Sequence, residues 1–244
     1  MTLKEFFTKY NKVALGFSGG VDSSYLLYAA KKYGANIQPY FIKTQFQPEF
    51  ELSDAKKLTS EFVVIEYNIL KNECVNANNS DRCYHCKKAL FSQLTEQAKK
   101  DGFSVLIDGT NASDNENDRP GMKAISELGV LSPLKMCGIK KSEVRELSKE
   151  AGLFTWDKPA YSCLATRIKT NESITDATLK KIEASENMLF KLGFSDFRVR
   201  VSKNTATLQF TSEQFEKAIK NREEIYEYIS KNFNTVLLDL KPRG

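Results

Sequence analysis

The sequence predicts an α/β protein, in which helices cover both faces of a parallel sheet, with a second, small α+β domain after it. Two observations predict this class. Short apolar runs alternate with segments of helical spacing over residues 12–151, and the order then becomes helix, strand, strand, helix, strand from residue 176 onward. The 244 residues suffice for one large and one small domain, and we expect domains over 1–167 and 168–244.

The elements of the first domain follow from changes of period along the chain. The apolar run 12–17 predicts a buried strand, and the helical spacing after the glycines that follow it predicts a helix ending near Gly34. Further strands are expected over 37–43, 62–69 and 105–108, and helices over 53–60, 86–100 and 140–151. Parallel strands share one carboxyl edge, where ligands of such folds bind, so the segments 18–24 and 108–111 should meet there.

An irregular segment, 155–167, contains Trp156 and Pro159 and is predicted as a loop that carries chemistry. The second domain should contain a helix over 176–192, strands over 197–202 and 206–210, a helix over 213–230 and a strand over 235–240.

Composition excludes several classes of function. The 36 basic and 31 acidic residues leave a net charge of +5, too weak a bias to predict nucleic-acid binding. No apolar run has the roughly 18 residues of a membrane span and the N-terminal residues lack a signal-peptide core, so we expect a cytoplasmic protein without membrane association. The single histidine excludes multi-histidine metal sites, and the odd number of cysteines, five, favours free thiols over a disulfide framework.

The segment Ser18-Gly19-Gly20-Val21-Asp22-Ser23-Ser24 has the features of a phosphate-binding turn. Glycines let the main chain approach an anion, and the N–H groups at the start of the following helix can bind it. Asp22 lies in the first helical turn, where a carboxylate can hold Mg²⁺ against phosphates, and the serines add hydroxyl donors. The lysine of a G-x-x-x-x-G-K loop is missing, which disfavours transfer of the γ-phosphate.

This segment resembles the PP-loop of the N-type ATP pyrophosphatases, which split ATP between its α- and β-phosphates to adenylate a substrate. Three further segments resemble the LarE-type sacrificial sulfur transferases of that superfamily: 81–87 (DRCYHCK), 108–121 (DGTN through RPG) and 156–167 (WDKP through CLATR). The resemblance covers about residues 10–175. It implies an adenine nucleotide alpha hydrolase-like PP-loop domain, ATP and Mg²⁺ as cofactors, a small-molecule carboxylate nucleotide as substrate, and a homo-oligomer.

The implied reaction has two stages and acts on a pyridinium dicarboxylate mononucleotide. ATP adenylates a carboxylate, and a cysteine thiolate then displaces AMP and leaves its sulfur on the substrate as a thiocarboxylate. The donor falls on Cys163, and neighbouring cations such as Arg167 and Lys158 would favour its thiolate. The ATP-binding residues implied are Phe17, Ser18, Gly19, Gly20, Val21, Asp22, Ser23, Ser24, Asp108, Gly109 and Thr110, with Asp22 as the metal ligand.

Four arginines are candidates for substrate binding. Arg119 precedes a Pro-Gly turn and can contact a phosphate, and Arg167 lies four residues after Cys163. Arg198 and Arg200 alternate on a predicted strand and therefore share one face, which suits a phosphate dianion and resembles an Arg-x-Arg pair of the family. A solvated surface position is the alternative for Arg119 and for this pair.

The other cysteines leave several interpretations open. Cys83-x-x-Cys86 can be structural or lie on the substrate side, hold a metal, or act as a redox dithiol, while Cys74 and Cys137 are expected to be passive. His85 is expected to pack or hydrogen-bond rather than act as a base. No cysteine follows Cys163, so the resemblance does not extend to members that hold a [4Fe–4S] cluster.

Two departures from the family pattern leave the substrate open. Lys169-Thr170-Asn171 replaces a Pro-Tyr-Gly turn, and Gln209 stands where a carboxylate is expected. The alternatives are therefore a PP-loop enzyme that thiolates or amidates another carboxylate or a tRNA, and a nucleotide-binding protein without catalysis.

Overall fold

A computed structural model describes residues 1–114 and 120–243. The helices are Leu3–Lys9 (α1), Val21–Lys32 (α2), Glu49–Leu58 (α3), Glu73–Asn76 (α4), Arg82–Lys100 (α5), Pro120–Glu127 (α6), Pro133–Met136 (α7), Lys141–Glu150 (α8), Asp176–Lys191 (α9), Phe215–Lys220 (α10) and Arg222–Ile229 (α11). The strands are Lys12–Gly16 (β1), Asn36–Lys43 (β2), Val63–Glu66 (β3), Leu106–Ile107 (β4), Arg198–Ser202 (β5), Thr205–Gln209 (β6) and Thr235–Leu238 (β7).

The first sheet is parallel and has the order β3-β2-β1-β4. Each face of the sheet has its own hydrophobic core. Successive residues of a central strand pack into opposite cores, because side chains alternate between the two faces of a strand. Val13 and Leu15 pack with α1, α2 and α8 on one face, whereas Ala14 packs with α5 and α6 on the other. The predicted fold class, a parallel sheet with helices on both faces, is confirmed.

The chain divides into two compact units, residues 1–69 with 81–158, and residues 70–80 with 159–244. The first contains the parallel sheet. The division differs from the expected boundary after Arg167, because residues 159–167 and the short segment 70–80 group with the second unit. Asn78 explains why the segment 70–80 belongs to the second unit. Its buried side-chain amide donates to the backbone carbonyls of Lys169 and Glu172, both at 2.9 Å.

The second unit has a three-stranded sheet in the order β5-β6-β7, with β5 and β6 antiparallel and β6 and β7 parallel. The single helix predicted over 213–230 is wrong, since α10 ends at Lys220 and α11 begins at Arg222. The break lies at Asn221, whose side-chain amide donates to the carbonyl of Lys217 at 2.8 Å. Asparagine side chains that bond to nearby backbone compete with the helix in this way.

Other boundaries differ less. The helix predicted over 53–60 begins earlier, at Glu49. The strand predicted over 105–108 is shorter in the structure and contains only Leu106 and Ile107. Residues 3–9 form a helix with a capping box, in which Thr2 accepts from the backbone of Glu5 and the Glu5 carboxylate accepts from the backbone of Thr2. None of the helices in the described parts of the chain is long and apolar enough to cross a membrane.

Candidate active site

The loop between β1 and α2 adopts the conformation that a phosphate-binding turn requires. Gly19 has φ +70°, and a Cβ there would lie 3.3 Å from the Cβ of Ala55 and 3.2 Å from its nitrogen, so a side chain would be strained and crowded. The hydroxyls of Ser23 and Ser24 donate to the carbonyl of Gly20 at 3.2 and 2.7 Å. These bonds fix the turn, together with the backbone N–H of Ser18, which donates to Ser23 Oγ at 3.3 Å.

The start of α2 is suited to bind an anion. Gly20 is the N-cap residue and, within the described chain, no side chain caps the helix. The first N–H groups of a helix lack intrahelical acceptors and form a natural phosphate site together with the helix dipole. The loop 18–24 therefore fits the triphosphate of a nucleotide.

A second loop, 108–111, packs directly against the first, so the structure brings together the two segments that the sequence placed at one edge. A Cβ on Gly109 would lie 3.1 Å from both the Cβ of Asp22 and the nitrogen of Ser23. The amide of Asn111 donates to Asp22 Oδ1 at 3.2 Å. This close approach explains why glycine occupies position 109.

Asp108 organises that second loop from a buried position. Its carboxylate accepts from the hydroxyl of Thr110 at 2.5 Å and from that of Ser132 at 2.6 Å. Ser132 was not singled out from the sequence, since it is 24 residues away. The carboxylate is thus held by hydroxyls, which fix the backbone of 108–110 beside the phosphate-binding turn.

We expect Gly109→Val to weaken ATP binding by about 10²-fold, because a displacement of this loop by a fraction of an ångström to one ångström moves the phosphate site. Titration calorimetry with ATP checks it. The backbone of Gly109 is outside the left-handed region, so the effect arises from contact rather than backbone strain, and Gly109→Ala should have a smaller effect. Unchanged ATP affinity in a folded Gly109→Val protein would contradict the close-approach role.

Asp22 fits the role of a Mg²⁺ ligand in part. Its carboxylate lies in the first turn of α2, is partly exposed and adjoins the phosphate-binding turn. Mg²⁺ commonly takes one or two protein carboxylates and completes its shell with phosphate oxygens and waters. Among residues 1–114 and 120–243, no group of three or more His, Cys, Asp or Glu residues is placed to hold a metal ion.

Lys141 is a site residue that the sequence reasoning missed. It begins α8, and its ammonium lies 2.5 Å from Asp22 Oδ2, while its backbone N–H donates to Ser113 Oγ at 3.0 Å. The residues paired here are 119 positions apart. The available signal was the position of Lys141 in the first turn of the helix predicted over 140–151.

In the second unit, Cys163 immediately precedes a 3₁₀ turn, Leu164–Arg167, and is partly exposed. The turn is closed by Thr166, whose backbone N–H and hydroxyl both donate to the carbonyl of Cys163, at 3.0 and 2.8 Å. The thiol therefore lies on a short, well-bonded turn.

Arg167 forms hydrogen bonds with the residues of this turn. It is fully buried, its Nε donates to Glu186 Oε1 at 2.8 Å, and its Nη1 donates to the carbonyl of Ser162 at 2.9 Å. The pKa of Arg167 is raised by the hydrogen bond and charge of Glu186, which outweigh the opposing effect of burial. Arg167 was predicted to bind substrate, but in this structure its guanidinium is engaged within the protein and positions the Cys163 turn.

Glu186 lies on α9 and is buried with Arg167. It also accepts a hydrogen bond from the hydroxyl of Tyr161 and, at 3.0 Å, one from the backbone N–H of Val199. Glu186 could have been singled out from the sequence, because it lies on the same helical face as the apolar residues Ile182 and Leu189.

Arg198 and Arg200 alternate on β5 as predicted, and both contact the segment that carries Cys163. Arg198 is buried and donates to the carbonyl of Ala160 at 3.0 Å, and exposed Arg200 donates to that of Thr166 at 2.5 Å. Burial, and secondly the charge of Arg167, lower the pKa of Arg198 to about 10. Gln209 Oε1 accepts a hydrogen bond from Arg200 Nε at 3.1 Å. A carboxylate at position 209 would neutralise the charge of Arg200, whereas the uncharged amide does not.

The remaining predicted residues are placed as follows. Phe17 is buried at the end of β1, and Arg119 lies outside the described residues. Cys83 is exposed and Cys86 partly exposed, both on the first two turns of α5, and His85 Nε2 lies 3.1 Å from Asp81 Oδ2. Cys137 is partly buried, which raises the pKa of its thiol.

No family model matches the chain. An uncharacterised protein of Synechocystis sp. is 34% identical over 98% of this chain and 92% of its own length. The pyridinium-3,5-bisthiocarboxylic acid mononucleotide synthase of Lactiplantibacillus plantarum is 28% identical over 94% of this chain and 86% of its own. The tRNA-specific 2-thiouridylase MnmA of Pseudothermotoga lettingae is 24% identical over 88% of this chain and 72% of its own.

Proposed function

Because the chain belongs to the LarE-type group of the PP-loop superfamily, we propose that it is an ATP-dependent sulfurtransferase. Its substrate would be a pyridinium dicarboxylate mononucleotide, and its own Cys163 would supply the sulfur. The similarity to the Lactiplantibacillus plantarum synthase over nearly the whole chain supports the substrate class. The similarity to a thiouridylase supports ATP-dependent thiolation more generally.

The first stage would take place at the loop 18–24. A carboxylate oxygen of the substrate attacks the α-phosphorus of ATP, the bond between that phosphorus and the α–β bridging oxygen breaks, and pyrophosphate leaves. The uncapped start of α2 and the residues Ser18 to Ser24 would bind the phosphates. When bound, Mg²⁺ would neutralise charge on the departing pyrophosphate, with Asp22 as its protein ligand.

The second stage would use Cys163. Its thiolate attacks the acyl carbon of the adenylate, AMP leaves with the electron pair of the broken C–O bond, and a thioester forms. Removal of the Cα proton of Cys163 then breaks its Cβ–Sγ bond, so that the substrate leaves as a thiocarboxylate and dehydroalanine remains in the chain.

The arrangement around Cys163 is the observation that carries the second stage. Three guanidiniums, from Arg167, Arg198 and Arg200, donate to backbone carbonyls of residues 160–166, and Glu186 is the carboxylate paired with Arg167. The excess of positive charge favours a thiolate and attracts an anionic substrate. This arrangement supports nucleophilic use of Cys163.

Intact-protein mass spectrometry after incubation with ATP, Mg²⁺ and the dicarboxylate mononucleotide tests the proposal. We expect the protein to lose the mass of H₂S, with the loss localised to Cys163 by peptide mapping. Cys74→Ser is the matched control, because Cys74 is an exposed thiol of the same unit, and this variant should lose the same mass.

Two other outcomes would redirect the proposal. An unchanged protein alongside thiolated product would show that Cys163 is not consumed. Formation of AMP and pyrophosphate only with a different carboxylate or with tRNA would retain the adenylation chemistry and replace the substrate.

A further inference from the structure

Tyr161 lies two residues before Cys163 and contacts three buried charged groups of the second unit. Its hydroxyl donates to Glu186 Oε2. Its ring centroid lies 4.5 Å from the guanidinium carbon of Arg167 and 5.4 Å from that of Arg198. The face of an aromatic ring is electron-rich and attracts a guanidinium at such distances. One side chain therefore joins both cations to the carboxylate between them.

The two guanidiniums benefit from this contact because they share a buried position with one buried carboxylate. Arg167 and Arg198 are 1% and 4% exposed, and Glu186 is 1% exposed. Like charges repel strongly away from water. Accordingly, burial and secondly the charge of Arg167 lower the pKa of Arg198. The ring of Tyr161 attracts both guanidiniums without adding a charge to the cluster.

Other charged groups lie at the margin of this cluster, where water reaches them. Asp196 lies 3.7 Å from Arg198 Nη1 and 2.8 Å from Arg243 Nε, and its side chain is 40% exposed. Arg200, on the same strand as Arg198, is exposed. Solvent and salt screen exposed charges more than buried ones, so the buried groups have the larger effect on their surroundings.

Both guanidiniums are bonded to the backbone that leads to Cys163. Arg198 donates to the carbonyl of Ala160 at 3.0 Å, and Arg167 donates to that of Ser162 at 2.9 Å. A displacement of either guanidinium would therefore move this backbone and change the charge near the thiol.

Arg167 also interacts electrostatically with the thiol. Burial lowers the pKa of Arg167, whereas the hydrogen bond and charge of Glu186 and the charges of Tyr161 and Cys163 raise it. An attraction between two charges acts on both partners. A guanidinium held in this place consequently favours the thiolate of Cys163.

We propose that Tyr161 is a positioning residue, whose ring holds Arg167 and Arg198 against the Cys163 segment and thereby keeps the thiol in its reactive, ionised form. The inference deepens the second stage of the proposed function and rests on it. The ring carries this role through its face, and the hydroxyl adds a hydrogen bond to Glu186.

Alkylation of the full chain with iodoacetamide tests the assignment without any substrate. The rate at Cys163 is followed by peptide mapping from about pH 5 to pH 10. We expect Tyr161→Leu and Tyr161→Met, which both lack the ring, to raise the midpoint pH of this alkylation by about one unit, because nearby opposite charges shift a pKa by about that much or more. Tyr161→Phe keeps the ring and should stay within about 0.3 unit of wild type.

Tyr228→Leu is the matched control, since Tyr228 is an exposed tyrosine of the same unit whose ring centroid lies 5.9 Å from Lys231 Nζ. It should leave the midpoint at Cys163 unchanged. Circular dichroism identifies the variants that fold, and either Tyr161→Leu or Tyr161→Met suffices for the comparison.

An unchanged midpoint in a folded variant without the ring would overturn the positioning role and leave the proposed function intact. An equal shift in Tyr161→Phe would assign the effect to the hydroxyl and overturn the role of the ring. A wild-type midpoint near that of an ordinary thiol, about 8.5, would refute thiolate stabilisation at Cys163 and count against the second stage itself.

Discussion

Cys163→Ala should abolish thiocarboxylate formation, by about 10³-fold or more, while release of pyrophosphate from ATP continues. The variant lacks the nucleophile of the second stage but keeps the loop 18–24, which lies in the other unit and serves only the first stage. The acyl-adenylate then has water as its remaining acceptor, so AMP appears by slow hydrolysis.

Single-turnover assays that follow pyrophosphate, AMP and thiocarboxylate separately would measure this difference. Cys74→Ala is the control, because it removes an exposed thiol from the same unit without touching the Cys163 turn. Full thiocarboxylate yield from Cys163→Ala would mean that the sulfur comes from another donor and would sink the proposed role.

Glu186→Gln should lower the free energy of unfolding of the second unit by about 3–5 kcal/mol. The carboxylate is 1% exposed and neutralises Arg167, which is equally buried, so the variant leaves an uncompensated guanidinium in the core. Arg198, whose buried guanidinium already interacts unfavourably with Arg167, adds to the cost.

Urea denaturation followed by circular dichroism measures that loss. Glu216→Gln is the control, since its ion pair with Lys220 is almost fully exposed and should change stability by less than about 1 kcal/mol. The double variant Arg167→Met with Glu186→Leu removes both charges and should be more stable than Glu186→Gln. If Glu186→Gln lowers the free energy of unfolding by less than about 1 kcal/mol, the buried Arg167–Glu186 pair does not have the stabilising role predicted here.

The sequence was sufficient where the determining contacts are local. The strand before Ser18, the glycine turn and the helix after it follow from a change of period within about twenty residues, and the structure has them at those positions. The pairing of Lys141 with Asp22 could not be read in this way, because it joins residues 119 positions apart.

Arg167 shows a second kind of difference between expectation and structure. It was expected to bind substrate because it lies four residues after Cys163, and charged side chains are rarely buried. The structure buries it because α9 presents Glu186 from its apolar face, where Ile182 and Leu189 are also buried. A charged residue on a buried helical stripe predicts a partner, but the pattern does not identify that partner.

The segment 70–80 has a consequence for the order of events during biosynthesis. A ribosome releases the N-terminal part of a chain first, yet the side-chain amide of Asn78 bonds to carbonyls 90 to 94 residues further along. The parallel sheet has all its strands by Ile107, so it can assemble while this segment still waits for its acceptors. Once the residues up to Lys158 have left the ribosome, the first unit is complete, whereas the eleven residues 70–80 still lack the rest of their unit. We expect this segment to be open to proteases until the second unit emerges.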